Sequence, residues 1–178
     1  MLLHTNLFMM RLFTIVLGCF LCSCVYAQKD SADMNAPYRK NPGIPAFDLL
    51  KTDSASHITK ADIIAKHKTL IMFFSPECTH CQHQTEDMIA AIDSLKDIQI
   101  IMATYQPFEE MVAFNQKYKI DKYSNIKLGR DTKYFFPPFY RMKSLPHLAL
   151  YNAKGNYITS FEGNQKISTL LAAFEEKK

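Results

Sequence analysis

Cys78 and Cys81 stand three residues apart in the segment Phe73-Phe74-Ser75-Pro76-Glu77-Cys78-Thr79-His80-Cys81. The 178-residue chain has five cysteines, and the other three, Cys19, Cys22 and Cys24, lie in its first 27 residues. A single Cys-x-x-Cys pair in the remainder is no disulfide framework. It is either a redox-active dithiol or half of a metal site. The apolar run before the pair and the helical spacing after it place the thiols at a strand-to-helix junction. Unpaired backbone N–H groups and the helix dipole favour an anion there. A thiolate so placed has a pKa below the free value of about 8.5. Cys78 is then the attacking thiol and Cys81, one turn along, the resolving one, with exchange passing through a mixed disulfide.

The elements that must position this pair are legible on both sides of it. Residues 69–74 form a continuous apolar run of strand length, which suits a central strand covered on both faces. Met88, Ile89, Ile92 and Leu95 give residues 79–96 a helical spacing. Residues 98–103 read as a second buried strand, so the strand–helix–strand order implies a parallel pair. Pro107 opens a helix that carries Phe108, Met111, Val112 and Phe114 and ends near Lys119. Residues 126–128 suit a strand, and Asp131 starts a short helix that Pro137-Pro138 is expected to break. Residues 147–151 and 156–162 flank the turn Asn152-Ala153-Lys154-Gly155 as a hairpin. Ile167, Leu170, Leu171 and Phe174 define a closing amphipathic helix. Near the domain start, residues 46–51 suit a short strand. Thr59 caps a helix over residues 60–66, with Ile63 and Ile64 expected to face inward.

Leu12 to Val25 is an apolar run preceded by Arg11 and followed by Ala27, the three parts of a secretory signal. It is shorter than the roughly 20 residues a spanning helix needs. Residues 1–27 are therefore read as a signal segment, 28–41 as a polar flexible linker and 42–178 as a single domain. Leu21-Cys22-Ser23-Cys24 resembles a bacterial lipobox, which would place a lipid anchor on Cys24. Either outcome puts the domain outside the cytoplasm, where disulfide chemistry is permitted. A domain of this size needs no staple to fold. With 48% hydrophobic and 21% charged residues and only five Gly, the chain is neither largely disordered nor collagen-like. The net charge of +4 is scattered, with no basic stripe interleaved with aromatics, which argues against a nucleic-acid partner.

Three features together resemble the thioredoxin superfamily, specifically its exported TlpA/ResA-like thiol-disulfide oxidoreductases, over about residues 44–176. They are the strand-Cys78-Thr79-His80-Cys81-helix unit, Leu145-Pro146 ahead of the hairpin, and Ile44-Pro45-Ala46-Phe47-Asp48-Leu49 at the domain start. The resemblance implies an α/β thioredoxin fold, a central mixed sheet flanked by helices, with an insertion before the cis-proline loop. It implies catalytic roles for Cys78, Cys81, His80 and Pro146, the last as a cis-proline facing the disulfide. It implies substrate contacts at Thr79 and at Leu145, whose backbone pairs with bound substrate. No cofactor or resident metal is implied. The implied partners are protein thiols or disulfides of the bacterial cell envelope or periplasm, and a redox partner that recycles the pair.

Three positions depart from the pattern. Met72 stands where thioredoxin carries a buried Asp that accepts the resolving cysteine's proton. Glu77 replaces the usual Trp, and an anion there raises the Cys78 pKa unless it points to solvent. Thr79-His80 replaces Gly-Pro, and the His80 ring is expected to stabilise the Cys78 thiolate, as His does at that position in DsbA-like oxidants. The competing reading is a Cu(I) or Zn(II) carrier that uses Cys78, Cys81 and either His147 or His83, since thiolate and imidazole suit both ions. Sco-like copper carriers use a Cys-x-x-x-Cys spacing that this chain lacks. His83 is otherwise read as solvated, His57 and His67 as without a functional role, and His147 as structural. Tyr134, Phe135, Phe136, Phe139 and Tyr140 form an aromatic cluster whose default role is core packing. Its alternative role is a substrate-facing apolar lip.

Overall fold

The computed structural model describes residues 35–175. The signal segment 1–27, the lipidation site Cys24 and linker residues 28–34 lie outside the described residues. The elements run α1 (Pro37–Lys40), β1 (Asp48–Leu50), β2 (His57–Thr59), β3 (Lys68–Phe73), α2 (Thr79–Ala90), β4 (Ile98–Thr104), α3 (Phe108–Tyr118), β5 (Ile126–Arg130), α4 (Phe136–Tyr140), β6 (His147–Tyr151), β7 (Tyr157–Glu162) and α5 (Ile167–Glu175). The strands form one mixed sheet in the order β2-β1-β5-β4-β3-β6-β7. β3 pairs in parallel with β4, and β4 with β5, while the β6–β7 hairpin and β1–β2 are antiparallel. β6 lies antiparallel against β3, which sets His147 opposite Phe73, at the cysteine end of that strand. Among the described residues, no helix is long and apolar enough to cross a membrane.

The continuous apolar runs reflect burial on both faces. Leu70 and Met72 of β3 and Phe74 just after it join a core with Cys81 and Met88 of α2, Met111 and Phe114 of α3, and Leu170 and Phe174 of α5. Ile71 and Phe73 project to the other face, into a second core with Phe47, Phe136, Tyr140 and Tyr151. The aromatic cluster of the sequence thus divides: Phe136 and Tyr140 are core, while Tyr134 is 53% exposed. Gly129 of β5 is required by close approach, because a Cβ there would stand 2.7 Å from the Leu49 Cβ.

Several local expectations change. The helix expected over residues 60–66 is a single 3-10 turn, Lys60–Asp62, although Thr59 and Asp62 do form a capping box. The chain leaves the turn because the buried Gln99 side chain takes both the N–H and the C=O of Ile64, at 2.8 and 3.0 Å. Ile64 is consequently 46% exposed, not inward-facing. The long helix after the cysteines ends at Ala90, and Ile92–Leu95 continue as a 3-10 turn. Pro137-Pro138 do not break a helix begun at Asp131. They occupy the first turn of α4, where a missing N–H costs nothing. The Asp131 carboxylate instead accepts from the Phe136 N–H at 2.9 Å, at the helix start. Within the stretch read as a linker, Ala36 is buried, and the α1 residue Tyr38 packs against Tyr140 and Tyr157 at ring separations of 5.9 and 5.1 Å.

Candidate functional site

β3, an interior strand, delivers the motif to the end of the sheet where its C-terminus lies. The Phe74 N–H still pairs with the Ala103 carbonyl of β4 at 2.9 Å, and Ser75-Pro76-Glu77 then turn the chain. The Cys78 N–H closes that turn on the Ser75 carbonyl at 3.1 Å. Cys78 is the N-cap residue of α2, with extended backbone, and its carbonyl accepts from the N–H groups of Cys81 and Gln82 at 2.9 and 3.0 Å. Its side chain makes no capping bond, and Cys78 stands at the positive end of the dipole of a 12-residue helix. The Gln82 amide donates to the Pro76 carbonyl at 2.7 Å and ties the helix start to the turn.

The two thiols sit in different surroundings, and both are free. Cys78 is half-buried, whereas Cys81 is fully buried against the first core. Burial pushes the Cys81 thiol far above its ordinary range, and the adjacent Cys78 thiol adds to this, while a backbone hydrogen bond from Ser75 opposes it. Facing the pair is Leu145-Pro146, whose peptide bond is cis. The Leu145 carbonyl lies 4.0 Å from the Cys78 sulfur, and Pro146 is buried behind it.

The expected site residues do not all converge. Thr79 and His80 are exposed on the first turn of α2, and no hydrogen bond joins His80 to Cys78. Glu77 is exposed, and Met72 is fully buried in the first core, where it offers no proton acceptor. His83 is exposed. His147 is 3% exposed but faces the second core, with its ring 5.0 Å from that of Tyr140. Alternation along β6 sends Leu148 and Leu150 to the face of Cys81, and Ala149 and Tyr151 to the face of His147. The three-ligand set of the metal-carrier reading is therefore not assembled: no group of three or more His, Cys, Asp or Glu among the described residues could hold a metal ion. Burial lowers the His147 pKa to about 4, a shift that Glu162 opposes.

Sequence reasoning passed over Gln82, Glu162 and Gly163. Glu162 was within reach of it. The hairpin turn sets the register that puts Glu162 opposite His147, next to the cis-proline.

No family model and no curated protein matches the chain. Solved structures do. StoA from Bacillus subtilis is 19% identical, over 75% of this chain and 100% of that one, at a TM-score of 0.57. The exposed lipoprotein thioredoxin of Streptococcus pneumoniae is 18% identical, over 75% and 100%, at a TM-score of 0.59. A secreted disulfide oxidoreductase of Mycobacterium tuberculosis, homologous to DsbE of E. coli, is 15% identical, over 72% and 94%, at a TM-score of 0.60. The likeness establishes the fold: the chain is an α/β protein with the thioredoxin fold, and β5 and α4 fill the stretch between α3 and the cis-proline loop.

Proposed function

We propose that this chain is a thiol-disulfide oxidoreductase that exchanges disulfides with cysteines of other proteins through Cys78 and Cys81. The observation that carries the reading is the asymmetry of the pair: a half-buried Cys78 at a helix N-terminus facing the Leu145 carbonyl, and a fully buried Cys81 one turn behind. In the reducing direction the Cys78 thiolate attacks one sulfur of a substrate disulfide. That S–S bond breaks, a mixed disulfide forms, and the other substrate sulfur leaves as a thiolate that takes up a proton. Cys81, kept protonated by burial until then, gives its proton to solvent and attacks the Cys78 sulfur. The mixed disulfide breaks, the second substrate sulfur leaves and is protonated, and the Cys78–Cys81 disulfide forms. Two electrons have passed to the substrate, and a protein dithiol of the same chemical class returns them. The oxidising direction runs the same steps in reverse.

In this reading Leu145 offers its backbone to an extended substrate segment and Pro146 backs the groove. Thr79 and His80 form its exposed rim. Export by residues 1–27 places the exchange in the cell envelope, where disulfides persist. Secretion and surface exposure in the neighbours' own descriptions support that location.

Trapping tests the reading. Cys81→Ser in the full chain is expected to accumulate mixed disulfides on Cys78 in envelope fractions, with Cys78→Ser capturing none. Capture by Cys78→Ser alone would reverse the two roles, and capture by neither would end the proposal.

A further inference from the structure

The corner between β7 and α5 is bonded to both halves of the site. Glu162 ends β7, and its carboxylate accepts from the Lys143 N–H at 2.8 Å and from the Ser144 hydroxyl at 3.2 Å. Lys143 and Ser144 lead directly into cis Leu145-Pro146 and belong to no strand or helix. The Gly163 N–H then donates to the Pro146 carbonyl at 2.8 Å, from a backbone conformation of φ +79 that favours glycine. The next two residues reach the other way. The Asn164 amide donates to Asp87 of α2 at 3.2 Å, and the Gln165 N–H donates to the buried Gln84 side chain of α2 at 2.6 Å. Four consecutive residues thus join the cis-proline loop to the helix that carries the cysteines.

We infer that Glu162 is a positioning residue for the substrate-binding loop: through Lys143 and Ser144 it holds Leu145 at the distance from Cys78 at which substrate backbone docks. The inference rests on the oxidoreductase reading. The Glu162 bonds exceed what a hairpin needs, because neither goes to the strand opposite. Across the hairpin lies His147, whose Nδ1 is 3.7 Å from the carboxylate, too far for a hydrogen bond. The carboxylate's hydrogen bonds to Lys143 and Ser144 both go to the loop. A polypeptide substrate that pairs with the Leu145 backbone needs the loop in register, whereas a small disulfide needs only the Cys78 sulfur.

The experiment compares the full chain with Glu162→Ala, Glu162→Gln and Gly163→Ala, each recycled by dithiothreitol, on insulin and on glutathione disulfide. Loss of two charge-assisted hydrogen bonds is expected to raise KM for insulin about tenfold in Glu162→Ala, with kcat within about twofold. Turnover of glutathione disulfide and the Cys78–Cys81 potential should stay unchanged. Glu162→Gln keeps an acceptor for the Lys143 N–H and should recover most of the loss. Gly163→Ala meets no atom within 4 Å of the added Cβ, so it perturbs only the backbone, and it should show the same insulin-selective defect. An unchanged KM for insulin in Glu162→Ala overturns the inference. Equal losses on both substrates, or a shifted potential, also overturn it, because the residue would then support the whole site. A wild-type protein that turns over neither substrate fails the oxidoreductase reading itself, and that outcome is seen before any variant is made.

Discussion

At the scale of single residues, two thiols in one helical turn behave differently because one is capped by solvent and the other by the core. Cys81 is fully buried, and its thiol is held protonated to high pH. Iodoacetamide at pH 8 should therefore alkylate Cys78 first, with Cys81 in Cys78→Ser slower by at least about tenfold, read by mass spectrometry over time. Comparable rates would show that the core opens readily around Cys81. His80 carries a weaker expectation. Its ring is exposed and makes no bond to Cys78, so its influence on the thiol passes through water. His80→Pro should make the potential more negative by roughly 30 mV or less, measured by equilibration with glutathione. A shift to more positive potential would remove His80 from the site.

At the scale of elements, the site is the meeting of a β3–α2 junction with the mouth of a hairpin, and both are set by the sheet. β6 is fixed against β3 by five residue pairs, which bring Pro146 to the cysteine end. The cover on the second face depends on α4, begun by prolines and tied down by Asp131. Phe136, fully buried there between Phe47, Phe73 and Tyr140, is expected to cost about 3–5 kcal/mol on replacement by Ala, measured by urea unfolding. Gly129→Ala brings a Cβ within 2.7 Å of the Leu49 side chain and 3.2 Å of the Leu50 carbonyl. It should destabilise by about 1–3 kcal/mol. The Cys78 alkylation rate should not change, since β1 and β5 lie on the far side of β4 from the β3–β6 junction. A slowed or accelerated rate would show that the sheet transmits strain to the motif.

At the scale of the whole molecule, stability against pH carries the mark of one buried histidine. The His147 pKa falls from an ordinary 6.5 to about 4, chiefly through burial, with Glu162 opposing the shift and Tyr140 packed on the ring. Between those values the unfolded chain binds a proton that the folded chain refuses, so stability is full above pH 6.5 and declines as pH falls toward 4. The loss is at most about 3 kcal/mol. His147→Leu should flatten that limb in chemical unfolding at pH 7 and pH 4.5. Asp53, lowered to about 2 mainly by its bond to Ser56, acts in a separate window, between 3.8 and 2, and should leave the histidine limb intact. Equal slopes in wild type and His147→Leu would place the acid response elsewhere.

Much of this was written in the sequence. The Cys78–Cys81 spacing, the twin apolar runs and the hairpin turn determined the dithiol, the parallel pair and the closing hairpin, because burial and turn geometry act over a few residues. The tertiary structure decided what depends on residues distant in sequence. Gln99 captured the Ile64 backbone and cut short a helix that its own cap favoured. Strand alternation sent His147 away from the thiols, so a plausible ligand set never formed. The Glu162 carboxylate, one of 17 acidic residues in the chain, acquired its place only when β7 closed on β6 beside the cis-proline. A side chain's partners across the sheet are set by register and facing, and no local pattern encodes them.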